Sequence, residues 1–381
     1  MAEGRNAAVI ERAGAAEQPE ERIYVASQWK LMWWRFRKHK LAVASAFVIG
    51  FIYLVALFCE FIATYDPEKR DQSFAYAPPQ KLRFVDEAGF HLRPFVYGLK
   101  GERDQKTRRL IFVEDRQVKY PVRFFVRGHE YRLWGLLRWD RHLIGVEGKD
   151  ATLYLLGTDR LGRDQFSRLV YGARLSTSIG LVGVTLSFIL GILIGGVSGY
   201  YGGAVDNVVQ RTIEFLRAIP TIPLWMGLSA ALPPHWSPVK VYFGITVILS
   251  LIGWTGLARV VRGRFLALRQ EDFVMAAALA GASEMRIIVR HMVPSFLSHI
   301  IASLTLSIPS MILSETALSF LGLGLRPPAI SWGVLLQEAQ NFRSVALAPW
   351  LLAPGAAVVI TVLAFNFMGD GLRDAADPYA R

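Results

Sequence analysis

Six apolar stretches interrupt this 381-residue chain, and they constrain its fold more than any other feature. A helix needs about 20 largely apolar residues to cross the hydrocarbon layer of a bilayer. Charged residues make up 19% of the chain, against about 25% in soluble domains. We therefore predict an all-α polytopic membrane protein with six transmembrane helices, at 41–63, 178–200, 215–232, 241–257, 300–321 and 348–368.

The short loops predict the orientation of these helices. Basic residues cluster in 28–40 and again between the fourth and fifth crossings, whereas 232–240 holds one lysine. Basic short loops stay in the cytoplasm, so we expect both termini to be cytoplasmic. The net charge of +12 does not predict nucleic acid binding, because the basic residues lie beside apolar segments. The single cysteine excludes an intramolecular disulfide.

The N-terminal region, 1–40, is predicted to be a cytoplasmic tail that ends in an amphipathic helix. Its stretch "SQWKLMWWRFRKHK" mixes tryptophan with cations, which suits a helix lying on an anionic lipid surface. A plain basic flank of the first crossing, 41–63, explains the same residues and stays open as the alternative.

A polar segment, 64–155, separates the first two crossings and is predicted to be a small β-containing extracytoplasmic insert. "RRLIFVED" and "VKYPVRFFVRGHEYRLWG" are rich in β-branched and aromatic residues and predict short strands, with "EDRQ" and "RGHE" as turns. His129 and Glu130 are neighbours, but no further ligand spacing supports a metal site. We interpret them as solvated loop residues.

The second crossing carries Gly191, Gly195 and Gly199 at four-residue spacing. On a helix this spacing aligns the three glycines on one face, where another helix backbone can approach closely. We expect a tightly packed helical bundle.

The stretch "FVMAAALAGASEMRIIVRHMVPS" lies between the fourth and fifth crossings and predicts two short helices joined at Gly281. Glu271 and Asp272 lie where a helix N-terminus favours negative charge, and Ser283 is a good N-cap for the second helix. Pro294 is expected to end the unit.

Each of the two predicted helices has one apolar face by helical spacing. The first face comprises Phe273, Ala276, Ala277 and Ala280, and the second comprises Met285, Ile288, Val289 and Met292, with Arg286 and Arg290 pointing elsewhere. Such a rigid projection suits insertion into a groove of a partner protein.

Three motifs in order carry a family resemblance. Ala276–Ala277, Gly281 and "HMVP" ending at Pro294 resemble the coupling motif of bacterial ABC importer permeases, although Met275 stands where that pattern has glutamate. "LGTDRLGRDQFSRLVYGAR" (156–174) and "PAISWGVLLQEAQ…PWLLAPG…VLAFNFMGDGLRDAADP" (328–378) resemble the C-type permease subunit of the dipeptide and oligopeptide ABC importer family.

The resemblance implies a type I ABC importer permease in the bacterial cytoplasmic membrane, with a five-helix permease core over 156–381. The loop 259–294 would be its cytoplasmic coupling loop, and 271–292 would contact one of two ATP-binding subunits. A paralogous permease subunit and an extracytoplasmic solute-binding protein would complete the complex. Peptides are the default cargo, while opines, oligosaccharides and nickel complexes stay open.

The chain itself is predicted not to be an enzyme and to have no catalytic residues, metal or cofactor. It has no G-x-x-x-x-G-K-[ST] motif for nucleotide phosphates, so ATP and Mg²⁺ are expected in the partner subunits.

Three further groups of residues are site candidates. Asp159, Arg160, Arg163 and Asp164 would form an ion-paired collar at the outer mouth, or an ordinary solvated helix start. Pro220 and Pro223 would kink the third crossing beside the pathway.

Glu315 lies within the fifth crossing, where an acid is expensive and usually functional. It would line the pathway and contact a substrate amine, or act as a structural residue at the subunit interface. An ion-gradient-driven secondary transporter is the rival class, and it predicts several intramembrane acids or broken helices in two inverted halves.

Overall fold

Long apolar helices form the frame of the structure, a computed structural model that describes residues 28–376 except 88, 104, 106–109 and 149–150. Within these residues, five helices are long and apolar enough to cross a membrane: Lys40–Leu57, Gln165–Tyr201, Pro238–Leu268, Ile300–Phe320 and Pro349–Ala376. They fall on five of the six predicted crossings.

We number the helices in chain order. They are α1 Gln28–Lys38, α2 Lys40–Leu57, α3 Cys59–Ile62, α4 Gln165–Tyr201, α5 Gly203–Ala218, α6 Thr221–Ala230, α7 Pro238–Leu268, α8 Asp272–Leu279, α9 Glu284–Arg286, α10 Val293–Ser295, α11 Leu297–Phe320, α12 Trp332–Glu338, α13 Phe342–Leu347 and α14 Ala353–Ala376. A π-helix, Ile287–Met292, joins α9 to α10, and 3₁₀ turns occupy Gln72–Phe74 and Pro349–Leu352.

The third predicted crossing, 215–232, differs from the structure. Helix α5 ends at Ala218, Ile219 is extended, and α6 begins after Pro220. Proline has no backbone N–H to donate and disfavours a helical conformation of the residue before it. The described residues therefore hold five continuous helices of spanning length rather than six, with a broken pair at the third position.

The predicted glycine stripe packs α4 against α7, as expected. A Cβ atom placed on Gly195 would lie 2.8 Å from the Cα of Ala258, and one on Gly199 would lie 2.7 Å from the carbonyl oxygen of Arg262. The two backbones are therefore in direct contact. Because Gly191 faces the side chain of Leu257, the contacts progress along both helices in the same order, and the two helices run in the same direction.

The largest apolar core lies between α2, α4, α7, α11 and α14. Its fully buried side chains include Ile179, Leu249, Ile312 and Phe365. A second core lies where α4 and α7 end, and it is described with the site below.

The insert contains a four-stranded antiparallel sheet in the order β1-β2-β3-β4. Its strands are β1 Arg83–Asp86, β2 Gly89–Arg103, β3 Leu110–Leu133 and β4 Leu137–Val146. The predicted β content is confirmed, but β2 and β3 have 15 and 24 residues rather than being short.

The two predicted turns are wrong, because "EDRQ" and "RGHE" both lie inside β3. The pairing shifts from Tyr97–Lys119 to Gly98–Asp115 at the first, and from Arg127–Arg141 to Tyr131–Trp139 at the second. Both shifts are bulges, which absorb extra residues without ending a strand. Polar residues are tolerated there because much of β3 is exposed on both faces.

The aromatic and basic stretch before the first crossing is helical, as predicted, and forms α1. Trp29 and Trp33 are exposed, whereas Phe36 is buried against Ala42 of α2 and Ala375 of α14. The position of α1 at a lipid surface stays a prediction. Residues 1–27, the remainder of the predicted tail, lie outside the described residues.

Candidate functional site

The predicted coupling residues and the predicted collar residues fall at opposite ends of the bundle. Residues 271–295, which we call the projecting segment, connect α7 to α11. Residues 159–164 precede α4, whose 37 residues span about 55 Å. Because α4 ends beside the end of α7, the start of α4 is far from the projecting segment.

The first half of the projecting segment is a helix closed by a glycine. The N–H of Gly281 donates to the carbonyl of Ala278 over 3.0 Å, and the N–H of Ala282 donates to that of Ala277 over 3.1 Å. This pair of bonds is a Schellman motif, which requires a left-handed residue after the helix. Gly281 supplies it with φ of 78°. The predicted break at Gly281 is therefore a defined turn.

The second half is less regular than the sequence predicted. Ser283 lies at the N-cap position, but its side chain makes no capping hydrogen bond. The backbone then passes through the π-helix and continues beyond Pro294, which is exposed, to Phe296. Pro294 does not end the unit, because it lies in the first turn of α10, where proline's missing N–H costs nothing.

The inner side of the projecting segment is buried in an apolar cluster. Val274, Ile287, Ile288 and Met292 pack with residues of α7 and α11. That cluster comprises these four with Val261, Phe265, Phe296 and Ile300, all under 9% exposed. The segment is thus fixed to both helices that it connects.

The outer side of the projecting segment is apolar and exposed. Leu279 has 90% of its surface exposed, and Phe273, Met275, Met285 and Val289 are also exposed. Packing against the rest of the chain does not account for such side chains, and exposed apolar patches mark interaction sites.

Two details of the predicted faces are wrong. Met285 and Val289 were expected to pack with Ile288 and Met292, but they point outwards and Ile287 is buried instead. The π-helix, with its i→i+5 bonds, changes which residues share a face.

In α8, most residues of the predicted apolar face lie on the exposed outer side of the projecting segment. Phe273, Ala276 and Ala280 are exposed, while Ala277 turns inwards beside Val274. Charged groups border this face, because the side chains of Glu271, Asp272, Arg286 and Arg290 are exposed as well.

A partly buried ion pair joins α7 to α5 near the base of the projecting segment. Arg262 of α7 donates to the carboxylate of Asp206 on α5 through Nε, at 2.5 Å, and through a second guanidinium nitrogen. Ser198 of α4 donates to the same carboxylate. The hydrogen bonds from Arg262 are the main reason that the pKa of Asp206 lies below its ordinary value.

At the opposite end, buried charges form a cluster that we call the arginine cluster: Asp159, Arg163, Arg168 and Glu338. Arg163 donates to Asp159 over 2.6 Å and to Glu338 over 2.5 Å. Arg168, only 2% exposed, donates to Glu338 over 3.3 Å, and its Nε lies 3.7 Å from Asp159. The cluster ties the start of α4 to α12.

The predicted collar is only partly assembled as an ion-paired unit. Asp159 and Arg163 pair, but Arg160 is exposed and belongs to no ion pair that the described residues form. Asp164 instead caps α4, accepting hydrogen bonds from the N–H and hydroxyl of Ser167 and from the hydroxyl of Thr64. Burial raises the pKa of Asp164 to about 6, although the hydrogen bonds from these donors act to lower it.

Glu315 lies in the interior of the chain, with none of its surface exposed. Three hydroxyls donate to its carboxylate: Ser319 and Ser331 over 2.8 Å, and Ser176 over 3.3 Å. These residues belong to α11, the start of α12 and α4. Within this chain, Glu315 therefore holds three elements together and does not reach a surface that a substrate could contact.

Pro220 and Pro223 lie at the start of α6, and both are exposed. The structure does not bring the collar, the two prolines or Glu315 into contact with one another. Residues that sequence reasoning missed are Leu279, Arg168 and Glu338, and it did not predict the pairing of Asp206 with Arg262. Arg168 and Glu338 lie inside the two long family motifs, 156–174 and 328–378. Membership in these motifs is the sequence feature that could have identified them as site residues.

Comparisons with known proteins agree on one family. Residues 188–381 match the family described as "Binding-protein-dependent transport system inner membrane component", and 27–79 match the N-terminal transmembrane domain of oligopeptide transport permease C.

Individual relatives carry names of the same kind. The chain is 38% identical to the dipeptide transport system permease protein DppC of Bacillus subtilis, over 59% of this chain and 68% of that protein. It is 43% identical to a putative peptide transport system permease protein of Brucella suis, over 59% and 73%. Among solved structures, a chain of the MetNI methionine ABC transporter is 19% identical, with a TM-score of 0.42, over 56% of this chain and 97% of that chain.

A matched model that covers half of the chain, together with relatives of this identity, establishes the family. The matched regions contain the projecting segment, four of the five spanning helices and the last part of α4, which carries the glycine stripe. The chain belongs to the inner membrane components of binding-protein-dependent transport systems, and within them to the dipeptide and oligopeptide ABC transporter permeases of the C type.

Proposed function

We propose that this chain forms half of a translocation pathway for peptides or similar small solutes, in an importer driven by ATP hydrolysed on separate subunits. Family membership and the peptide transport names of its relatives support this function. ATP and Mg²⁺ would bind in the partner subunits, and this chain would contribute motion rather than chemistry.

The observation that carries the proposal is the exposed apolar side of the projecting segment on a rigid base. Its inner side is buried between α7 and α11, so a force on Leu279 would be transmitted to two spanning helices at once. A groove on an ATP-binding subunit would cover the apolar surface. Closure of two such subunits around ATP would then tilt α7 and α11 and switch the side to which the pathway opens.

The proposal includes the orientation of the chain and its remaining partners. The basic loops around the projecting segment favour a cytoplasmic position for it, with both termini on that side. A paralogous permease subunit would complete the pathway. The insert and the arginine cluster, at the other end of the bundle, would face the solute-binding protein that delivers cargo.

Two other functions have less support. An importer of the same class for opines, oligosaccharides or nickel complexes has the same mechanism and differs only in cargo. An ion-gradient-driven secondary transporter is less well supported, because the buried carboxylate of Glu315 already accepts hydrogen bonds from three hydroxyls and the family is that of binding-protein-dependent systems.

Leu279→Arg tests the proposal directly. The side chain of Leu279 is 90% exposed, so a change there should leave the fold and membrane insertion of this chain intact. Placing a charge in a desolvated apolar contact should instead release the ATP-binding subunits. We expect loss of co-purification of those subunits and loss of uptake in proteoliposomes.

The matched control is Arg290→Leu, which makes the reverse exchange of arginine and leucine at an exposed basic position of the same segment. It removes no apolar contact, so association should be retained. Unaltered uptake and unaltered association in Leu279→Arg would contradict the proposed coupling role.

A further inference from the structure

The tip of the β3–β4 hairpin is an apolar surface that the fold leaves uncovered. Leu136 is 81% exposed at the turn, and Trp134, Leu137 and Trp139 are exposed beside it. Neither matched family region reaches these residues, since the two matches cover 27–79 and 188–381. Family membership therefore assigns no role to the hairpin.

The hairpin tip is attached to the end of the first spanning helix. The indole N–H of Trp134 donates over 2.8 Å to the carbonyl oxygen of Leu57, the last residue of α2. The rings of Trp134 and Phe58 lie 5.7 Å apart, and Phe61 of α3 contacts the rings of Phe125 and Trp139. The tip thus lies at the level where the apolar length of α2 ends.

The exposed apolar surface of α2 ends beside the tip, where the partly exposed Arg174 also donates to the carbonyl oxygen of Leu57. Phe47, Phe51, Leu54 and Leu57 are exposed along α2, which is one of the helices long and apolar enough to cross a membrane. Leu136 and Leu137 follow closely after Trp134, whose ring contacts the end of α2. The region where a membrane helix leaves the hydrocarbon is where tryptophan is enriched, because its ring is apolar and its N–H is polar.

The conformation of the turn adds an independent observation. Trp134 has φ of 55° and is followed by Gly135 with φ of 74°, so both lie in the left-handed region. Asparagine, aspartate or glycine usually occupies such turn positions, and a bulky side chain there is strained. Strain of this kind is retained where the side chain has a specific task.

Two cations complete the arrangement. Arg132 and Arg138 are paired across the hairpin next to the tip, and both are exposed. Among the described residues neither belongs to an ion pair. Arginine beside an interfacial apolar patch is suited to bind the phosphate groups of lipids.

We infer that the β3–β4 hairpin is a lipid anchor: Leu136 and Leu137 enter the interfacial region of the bilayer beside α2, and Arg132 and Arg138 contact lipid phosphates. The anchor fixes the insert at a set height above the membrane. This inference concerns the insert and the bilayer only, so it holds or fails independently of the transported solute and of the ATP-binding partners.

Site-directed spin labelling tests the anchor in the full-length chain. A nitroxide is attached to Leu136→Cys, and in a second variant to Leu137→Cys, in nanodiscs of phosphatidylcholine and phosphatidylglycerol. The control is Leu92→Cys, a residue that is 89% exposed on β2 of the same sheet. The chain's single cysteine, Cys59, is fully buried, and unsubstituted protein measures the background labelling.

The expected result is a ratio of oxygen accessibility to aqueous nickel-complex accessibility that is several-fold higher at positions 136 and 137 than at 92. Equal ratios at all three positions would overturn the anchor. Shielding of 136 from both reagents would overturn it too, because it would mean that protein covers the tip. Arg132→Gln together with Arg138→Gln should lower the ratio at 136, and an unchanged ratio would remove the phosphate contact from the inference.

Discussion

The two ends of the helical bundle are stabilised in opposite ways. At the projecting segment, apolar side chains are buried beneath and exposed above, from Ile288 at 0% to Leu279 at 90%. At the start of α4, charged side chains are buried, with Asp159 at 0% and Arg168 at 2%. The first arrangement leaves a surface for another protein to cover, whereas the second pairs its charges with one another within the chain.

This difference predicts how each end responds to mutation. A buried charge that loses its partner is costly, because the remaining charge has no water to solvate it. An exposed apolar residue contributes little to the stability of the chain itself, so its loss should affect association instead. The following four changes test the contrast.

Asp159→Ala should have the largest effect. It leaves Arg163 and Arg168 with Glu338 alone, and it removes the acceptor of the N–H groups of Leu161 and Arg163. We expect a loss of about 3–5 kcal/mol in the free energy of unfolding. Thermal unfolding in detergent, followed by size-exclusion chromatography, measures it. Arg160→Ala, at the exposed neighbour, should change the unfolding temperature little, and equal effects of both would contradict the arginine cluster.

Ile288→Ala should come next, at about 2–4 kcal/mol, because it opens a cavity in the cluster that fixes the projecting segment. Val289→Ala, at the adjacent exposed position, should cost under about 0.5 kcal/mol. Thermal unfolding separates the two variants. If the losses were similar, the inner and outer sides assigned to the π-helix would be wrong.

Gly281→Ala should cost about 1–2 kcal/mol through strain alone. The position has φ of 78°, while a Cβ there would meet nothing within 4 Å, so no clash contributes. Gly263→Ala in α7 is the matched control, since that site is equally open and helical. There alanine should stabilise the chain by about 0.5–1 kcal/mol. Opposite shifts in unfolding temperature are the expected result.

Acidification should produce the smallest effect and should act on the insert first. Burial, and then the nearby His142, lower the pKa of His129 to about 4 from an ordinary value near 6.5. The unfolded chain binds this proton more readily between these values, so stability falls as pH drops from about 6.5 to 4.

We expect a loss on the order of 1 kcal/mol over that range, because the imidazole is partly exposed. The measurement is the difference in unfolding temperature between the wild type and His129→Gln as a function of pH. At the other end, Asp206 has a pKa below its ordinary value, so the stability from its pair with Arg262 is lost only as pH falls through that lower pKa. A wild-type stability that did not decline relative to His129→Gln would contradict the burial of His129.

Sequence periodicity anticipated the spanning helices and their packing well. Apolar length located five of the helices, and the spacing of Gly191, Gly195 and Gly199 anticipated the contact of α4 with α7. It also anticipated the turn at Gly281. These features depend on local composition and on one helical repeat, which a sequence displays directly.

Other features escaped sequence reasoning, because they depend on where distant residues meet. Glu338 lies 170 positions from Arg168, and the hydroxyls around Glu315 come from Ser176 and Ser331 as well as from its own helix. The bulges in β3 and the π-helix change the phase of a regular repeat, so a fixed period assigns Met285 and Val289 to the wrong side. No local pattern of sequence periodicity indicates where the phase of the repeat changes.

The sequence by itself determined the class of the protein: a bundle of apolar helices with a projecting segment on one side and a β-rich insert on the other. Hydrophobic length and residue spacing are enough for that, because a bilayer accepts few backbone conformations. Only the tertiary structure decided which charges are buried together, which side of the projecting segment is free, and where the insert touches α2. Those outcomes depend on desolvation and packing between residues far apart in the chain, which only the folded arrangement brings together.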